Sequence, residues 1–321
     1  MSAERRTENR TENRTESRTE SKTESRTVAE VGGRRVVLSN LDKVLFPEAG
    51  FTKGDLVNYY VRIAPVLLPH LAGRPVTFVR FPDGVGRGSF FEKRLPRGAP
   101  GWVEAIDVPR SSRQDGSATI HAPAIADLAS LVWAANLAAI ELHVPLWRST
   151  RPGEYGSFDQ IVFDLDPGAP ATIVECCTVA LQLADVLSER GLSALRPKTS
   201  GKKGLQLYAA LSPARPWEEV RDQAREIARA AERAHPDLVV AKMRTDLRPG
   251  KVFIDWSQNH PAKTTVAAYS LRGVPEPSVS TPVTMDEVAA CASSGDPAAL
   301  RFGATAVLAR VERLGDLFAV G

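Results

Sequence analysis

Two aspartates, Asp164 and Asp166, stand two residues apart at the end of the apolar run QIVFDLDP (160–167). Side chains alternate between the faces of a strand, so these carboxylates share a face while Leu165 points into the core. Carboxylates crowded beside an apolar run repel each other. A divalent cation relieves that repulsion, and oxygen ligands suit Mg2+ or Mn2+. Two solvated carboxylates closing a strand would read the same way, so the pair alone does not decide. Asp255 closes a second apolar strand, KVFIDWS (251–257). An aspartate there is costly unless paired or metal-bound. Its structural alternatives are capping a turn or pairing with Arg248. A strand bearing Asp-x-Asp followed by an apolar strand ending in Asp is the pattern of a two-metal nucleotidyl-transfer site.

Between these strands lies Thr199-Ser200-Gly201-Lys202-Lys203-Gly204. Small residues let backbone N–H groups approach a phosphate, and the lysines add charge. The Walker A spacing is missing. Alone, the segment would read as a basic hairpin turn. Between two aspartate strands it reads as a cradle for a triphosphate.

These residues need elements to hold them. Thr52 caps an amphipathic helix through LVNYYVRIAPVLLPHL. RPVTFVRF (74–81) is a strand, and PDGVGRG after it is a loop. Residues 124–142 are apolar nearly all round, which predicts one buried helix. Thr172 and Glu175 form a capping box before a long helix ending at Gly191. A strand pair is expected around KTSGKKGLQLYAAL, and a helix from about Trp217 to Ala234, closed by Pro236. Thr284 and Glu287 cap a late helix. Strands and helices mix throughout, so the class is α/β or α+β.

The 321 residues allow one large domain or two ordinary ones. With 43% hydrophobic and 25% charged residues, the composition is that of a soluble globular protein. No apolar run approaches the ~18 residues of a membrane span, and a polar N-terminus excludes a secretory signal. Three cysteines, with Cys176 and Cys177 adjacent in a predicted apolar helix, make no disulfide framework. They read as buried core, and the chain as cytoplasmic. The net charge is only +3, so nucleic-acid binding must come from local clusters. His70, His121, His143, His235 and His260 are scattered without zinc spacing and take no role in this reading.

Residues 6–27 repeat a basic-Thr-Glu-Asn/Ser unit without one apolar side chain. A period of four stacks like charges at i,i+4, which weakens a helix. Residues 1–27 are therefore expected to be disordered. The seven basic and six acidic residues nearly cancel, which argues against a DNA-tethering arm. Residues 28–321 carry the folded body, divided at about residue 155.

The segments SNLDKVLFPEAGFTKGD, GRPVTFVRFPDG, FFEK, HVPLW, FDLDP, TSGKKGLQLY, FIDWSQN and AYSLR run in order through roughly residues 34–300. Together they resemble the polymerase domain of bacterial non-homologous end-joining ligases, the ligase D family, within the archaeo-eukaryotic primase superfamily. The resemblance implies a primase-polymerase fold with an RRM-like catalytic sheet and an N-terminal α/β module that holds DNA. It implies that Asp164, Asp166 and Asp255 bind two Mn2+ or Mg2+ ions. Ser200, Lys203 and Arg272 match residues that hold the incoming triphosphate. Arg248 and Gln258 match further nucleotide and active-site contacts. Phe90 and Phe91 match an aromatic pair that packs against template bases, although adjacent strand residues face opposite sides and one could be core. Lys43 and Lys53 match a pair that grips a 5′-phosphate at a gap or break. The implied partners are 5′-phosphorylated DNA and nucleoside triphosphates, with a separate ligase and an end-binding protein on the nucleoid.

Two positions depart from the family pattern. Gln206 stands where histidine is expected, and Val79 where many relatives are basic, leaving Arg80. A DNA-end binding module with weakened catalysis is therefore the competing reading, although a pure binder has no need of three gathered carboxylates. A phosphatase reading through DxDx[TV] fails because Gly168 occupies the last position. No Lys-x-Asp-Gly adenylation motif occurs, so the chain reads as a stand-alone polymerase.

Overall fold

The structure, a computed structural model, describes residues 25–110 and 119–319. The expected disorder of the charged repeat lies mostly outside these residues. Its last two residues, Arg26 and Thr27, belong to a strand, so the body begins earlier than residue 28.

The chain opens with strands β1 (Arg26–Val31), β2 (Arg34–Ser39), β3 (Val44–Phe46) and β4 (Phe51–Thr52), then helix α1 (Lys53–Leu71). Next come β5 (Thr77–Arg80), β6 (Phe90–Glu92), β7 (Ala105–Pro109), β8 (Thr119–Pro123), α2 (Leu128–Asn136) and β9 (Ala139–Val144). The second half holds β10 (Phe158–Pro167), α3 (Ile173–Glu189), β11 (Leu195–Thr199), β12 (Leu205–Arg215) and α4 (Trp217–Ala234). It ends with β13 (Val239–Val240), β14 (Val252–Asp255), β15 (Thr265–Val266), α5 (Met285–Ser294) and α6 (Ala304–Leu314). The class is α+β. No helix among the described residues is long and apolar enough to cross a membrane.

Two sheets organise these elements. One has the order β11-β12-β10-β14-β13, antiparallel except for the β13–β14 pair. The other has the order β15-β9-β5-β6. Its edge strand β15 comes from far beyond residue 155, so the two lobes are interleaved. Helices α3 and α4 both pack on β10. Ile161, Val162, Phe163 and Leu165 of that strand are fully buried, so β10 is covered on both faces until the aspartates begin. The face opposite Leu165 carries the polar row described below.

Local sequence explains most element ends. Thr52, Thr172 and Thr284 each close a capping box, with Asp55, Glu175 and Glu287 respectively, satisfying N–H groups that a helix start leaves unpaired. The buried helix expected over 124–142 is a correction. Helix α2 stops at Asn136, Ala138 takes φ 56°, and residues 139–144 form strand β9 in the middle of its sheet. An apolar run buried on both sides looks alike as helix or strand, and the reversal at Ala138 leaves no Gly or Pro to announce it. Helix α6 was not foreseen. Cys176 and Cys177 are fully buried, as expected.

The lobes are joined by buried polar contacts. Tyr59 donates to the Tyr269 carbonyl at 2.7 Å and Tyr208 to Thr265 Oγ1 at 2.9 Å, while within the first lobe Tyr60 donates to the Ile140 carbonyl at 2.7 Å. Each phenol brings apolar area and a satisfied hydroxyl, which is how a buried tyrosine stabilises.

Candidate functional site

Strand β10 lies between β12 and β14, and its register places the aspartates. Asp164 pairs with Asp255 on one side and with Gln206 on the other, while Gln206 pairs with Lys198. Directly opposed residues share a face. Lys198, Gln206, Asp164 and Asp255 therefore form one row across four strands. Asp166, two residues on and opposite Phe253, joins the same face. Leu165 and its partner Ile254 point the other way and are fully buried.

Burial and repulsion act together on this group. Burial first, then the charges of Asp166 and Asp255, push the Asp164 carboxyl up to about 7. Burial and Asp255 also raise Asp166, while Lys203 and Arg248 oppose the rise. Asp255 is anchored by the turn after it, accepting from the Ser257 N–H and from Gln258 Nε2, both at 3.0 Å. Its capping alternative is thus real, and it leaves the carboxylate on the shared face. Arg248 sets its guanidinium 3.8 Å from the centre of the Phe253 ring, beside Asp166. Gln258 was expected at the site and touches an aspartate there.

Asn259, from the same FIDWSQN motif, holds β10 where β14 has ended. It accepts from the Val162 N–H at 2.9 Å and donates to the Val162 carbonyl at 2.7 Å. Both groups are buried and would otherwise lack the ladder partner that a buried strand requires.

The TSGKKG loop closes over the end of β10. Ser200 Oγ accepts from the Gly204 N–H at 3.0 Å and from the Lys202 N–H at 3.3 Å, so its side chain shapes the loop. A Cβ at Gly204 would lie 2.3 Å from the Leu165 carbonyl oxygen, and one at Gly201, where φ is +69°, would lie 2.6 Å from Arg272 Cγ. The glycines therefore let the loop lie directly on the aspartate strand and on Arg272. Lys203 is exposed at its tip.

Arg272 is buried against Glu141, 3.4 Å from its carboxylate. Lys202 approaches the same oxygen at 3.6 Å, the Gly273 N–H donates to it at 2.9 Å, and His143 lies 2.8 Å from the other oxygen. Burial opposes ionisation of Glu141, yet His143 and Arg272 hold its carboxyl down at about 2. Glu141, His143 and Lys198 were given no role by the sequence. Glu141 and His143 sit two apart on β9, a strand signal hidden by reading that stretch as helix. Lys198 is buried at 1% exposure, where burial and Arg272 lower its pKa against the pull of Asp164. It was missed because a lysine beside a basic loop reads as surface.

The expected DNA-facing residues divide. Phe90 and Phe91 are both exposed, at 44% and 64%, on the edge strand β6, so neither is core. Phe91 lies edge-on to His143 at 6.0 Å, and Arg80 stacks on Phe90 at 5.3 Å. Val79 is buried, and Arg80 is paired with Glu92 at 2.7 Å. The β3–β4 hairpin brings Lys43 and Lys53 together, with the Lys53 N–H donating to the Lys43 carbonyl at 2.8 Å. Lys43 Nζ pairs with Asp83 at 3.1 Å. Lys53 is 6% exposed and lies 3.3 Å from Ser39 Oγ, so it is no solvated surface lysine. The N-terminus of α1 is less open than expected, because Asp55 and Thr52 close its capping box.

A cavity of about 470 Å³ behind the row is lined by Arg74, Arg148, Arg196, Lys198 and Tyr208 but by none of the three aspartates. Among the described residues no group of three or more His, Cys, Asp or Glu side chains is placed to hold a metal ion by itself. The aspartates still fit a hard divalent cation, because their crowding raises Asp164 and such ions complete their shells with water and phosphate oxygens. An open set of carboxylates beside a cationic loop can hold a cation and a polyphosphate together.

The family of the LigD primase-polymerase domain matches residues 52–318. The multifunctional non-homologous end joining protein LigD of Mycolicibacterium smegmatis is 44% identical over 285 residues, covering 89% of this chain and 36% of that protein. The bifunctional LigD of Bacillus subtilis is 34% identical over 288 residues, 88% of this chain and 44% of the relative. The chain thus spans less than half the length of these relatives. The polymerase domain of Mycobacterium tuberculosis ligase D, solved in complex with DNA, superposes with a TM-score of 0.81 at 42% identity, covering 88% of this chain and 96% of that one. On fold, motif order and extent of match, the chain belongs to the LigD primase-polymerase domain family.

Proposed function

We propose that this chain is a metal-dependent nucleotidyltransferase that adds nucleotides at DNA ends and gaps during break repair. The observation that carries the reading is the register of Asp164 opposite Asp255, with Asp166 on the same face, beneath a loop bearing Lys203. The family is metal-dependent. Two Mg2+ or Mn2+ ions bound there would lower the pKa of the primer 3′-hydroxyl and offset charge on the α-phosphate. The chain's own residues do the positioning. Lys203 and Ser200 on their loop face the triphosphate, Arg272 supports it from below, and Arg248 and Gln258 complete the nucleotide side.

The lobe carrying β5 and β6 holds DNA in this proposal. Phe90 and Phe91 stack on template bases, and Lys43 with Lys53 receives the 5′-phosphate of the downstream strand. The polymerase domain of Mycobacterium tuberculosis ligase D, solved in complex with DNA, supports DNA as the ligand. A separate ligase and an end-binding protein are the natural partners of such an activity on the nucleoid. Gln206, one of the two departures behind the end-binding alternative, donates to Asp164 at 3.1 Å and is built into the row.

Extension of a labelled primer with Mn2+ and nucleoside triphosphates tests the reading. Asp164→Ala, Asp166→Ala and Asp255→Ala should each abolish addition while sparing DNA binding. Near-normal extension by any one of them would remove the metal assignment.

A further inference from the structure

We propose that Lys198 is a positioning residue for Asp164, acting through the side-chain amide of Gln206. The inference rests on the metal-site reading above and adds the device that presents its central carboxylate. Lys198, Gln206 and Asp164 are consecutive members of one cross-strand row, and the first two are 1% and 4% exposed. Lys198 Nζ donates to Gln206 Oε1, and Gln206 Nε2 donates to Asp164 Oδ1 at 3.1 Å. Lys198 also donates to Ser280 Oγ at 2.8 Å, and that hydroxyl donates onward to the Thr199 carbonyl at 2.8 Å.

The chemistry of these groups gives the chain one direction. An ammonium has three donors and no acceptor, whereas an amide has one donor end and one acceptor end. A half-turn of the Gln206 amide would aim its oxygen at a carboxylate and its NH2 at an ammonium, which is unfavourable at both ends. With Lys198 in place only one orientation is satisfied. Asp164 is then held by Oδ1, and Oδ2 stays out of this chain. Asp255 has its own anchors in Ser257 and Gln258. The two opposed carboxylates are thus fixed independently, Asp164 across β12 and β11 and Asp255 from the turn after β14.

Mn2+ titration of the metal-free protein, read by the paramagnetic resonance of the free ion, tests this without turnover. Lys198→Met keeps the volume and removes the donors. It should weaken Mn2+ binding about 10–100-fold, as loss of an outer partner of a ligand does. In a Gln206→Met background the same change should cost less than about threefold, because the route is already cut. Equal costs in both backgrounds would overturn the proposal. Lys198→Arg keeps a donor, and the cavity bordering Lys198 leaves room for a guanidinium. It should fold and retain affinity within about threefold of wild type, which carries the test if Lys198→Met does not fold. Failure of both variants to fold would make Lys198 structural and overturn the proposal as well. Asp164→Ala is the control. Unchanged Mn2+ affinity there would sink the metal-site reading itself, whereas loss there with none in Lys198→Met sinks only the inference.

Discussion

Asp164 and Asp255 face each other directly across the antiparallel pair of β10 and β14, on the face opposite the fully buried Leu165 and Ile254. Two half-buried carboxylates in that relation repel each other. The cost falls on Asp164, whose carboxyl rises from 3.8 to about 7 through burial and the charges of Asp166 and Asp255.

A pH dependence follows. The folded metal-free protein keeps the Asp164 proton up to about 7, whereas the unfolded chain releases it near 3.8. The native state binds more protons across that window, so stability falls as pH rises through it. The thermal midpoint of metal-free protein should therefore drop between about pH 4 and about pH 7, and Asp164→Asn should flatten the drop. Calorimetry of both proteins is the check, and identical slopes would contradict it.

Lys203 and Arg272 should separate by experiment. Lys203→Ala removes an exposed charge and should raise the apparent KM for nucleoside triphosphate with the thermal midpoint unchanged. Arg272→Ala should raise KM too, but it also strips a buried cation from Glu141 and should cost on the order of 3 kcal/mol of stability. Nucleotide titration at saturating DNA, with a melt of each variant, reads both effects.

Phe90 and Phe91 are exposed, so their loss should spare the fold. Phe90→Ala and Phe91→Ala should each weaken primer-template binding by ~1–3 kcal/mol, the usual worth of stacking one base on an aromatic ring. Binding isotherms at one ionic strength give the number. Unchanged affinity in both would free the pair from any role in template contact.

A gap bearing a 5′-phosphate should bind more tightly than the same gap with a 5′-hydroxyl. Lys43→Ala combined with Lys53→Met should erase most of the difference, the methionine keeping the buried volume. Asp83→Asn releases Lys43 from its ion pair and should widen the difference. The comparison must be made at fixed salt, since phosphate contacts depend on it. Equal wild-type affinity for both ends would refute the pocket.

Asn259→Leu should destabilise the protein by on the order of 3 kcal/mol, since it leaves the buried Val162 N–H and C=O without their partner. Denaturant unfolding measures this. A loss below about 1 kcal/mol would mean that water or a backbone shift replaces the clamp.

The local half of this protein was legible in its residues. An apolar run closed by Pro167 made QIVFDLDP a strand with both aspartates on one face, and the N-cap Thr52 with the Thr172 and Thr284 caps announced the starts of α1, α3 and α5, because each depends only on neighbours within a few residues. Motif order extended that reading to the family and to most of the proposed site. Tertiary structure alone decided which residues meet across strands. The register of β10 against β12 and β14 put Gln206 and Asp255 on either side of Asp164, and that register depends on pairings between segments far apart in sequence. The turn at Ala138 hid Glu141 and His143, because an apolar stretch buried on both sides carries no periodicity to separate helix from strand. Lys198 was hidden for the same kind of reason. Its letter reads as surface, and only the sheet shows that Gln206 and Ser280 satisfy its ammonium in the interior, next to the carboxylate it faces through one amide.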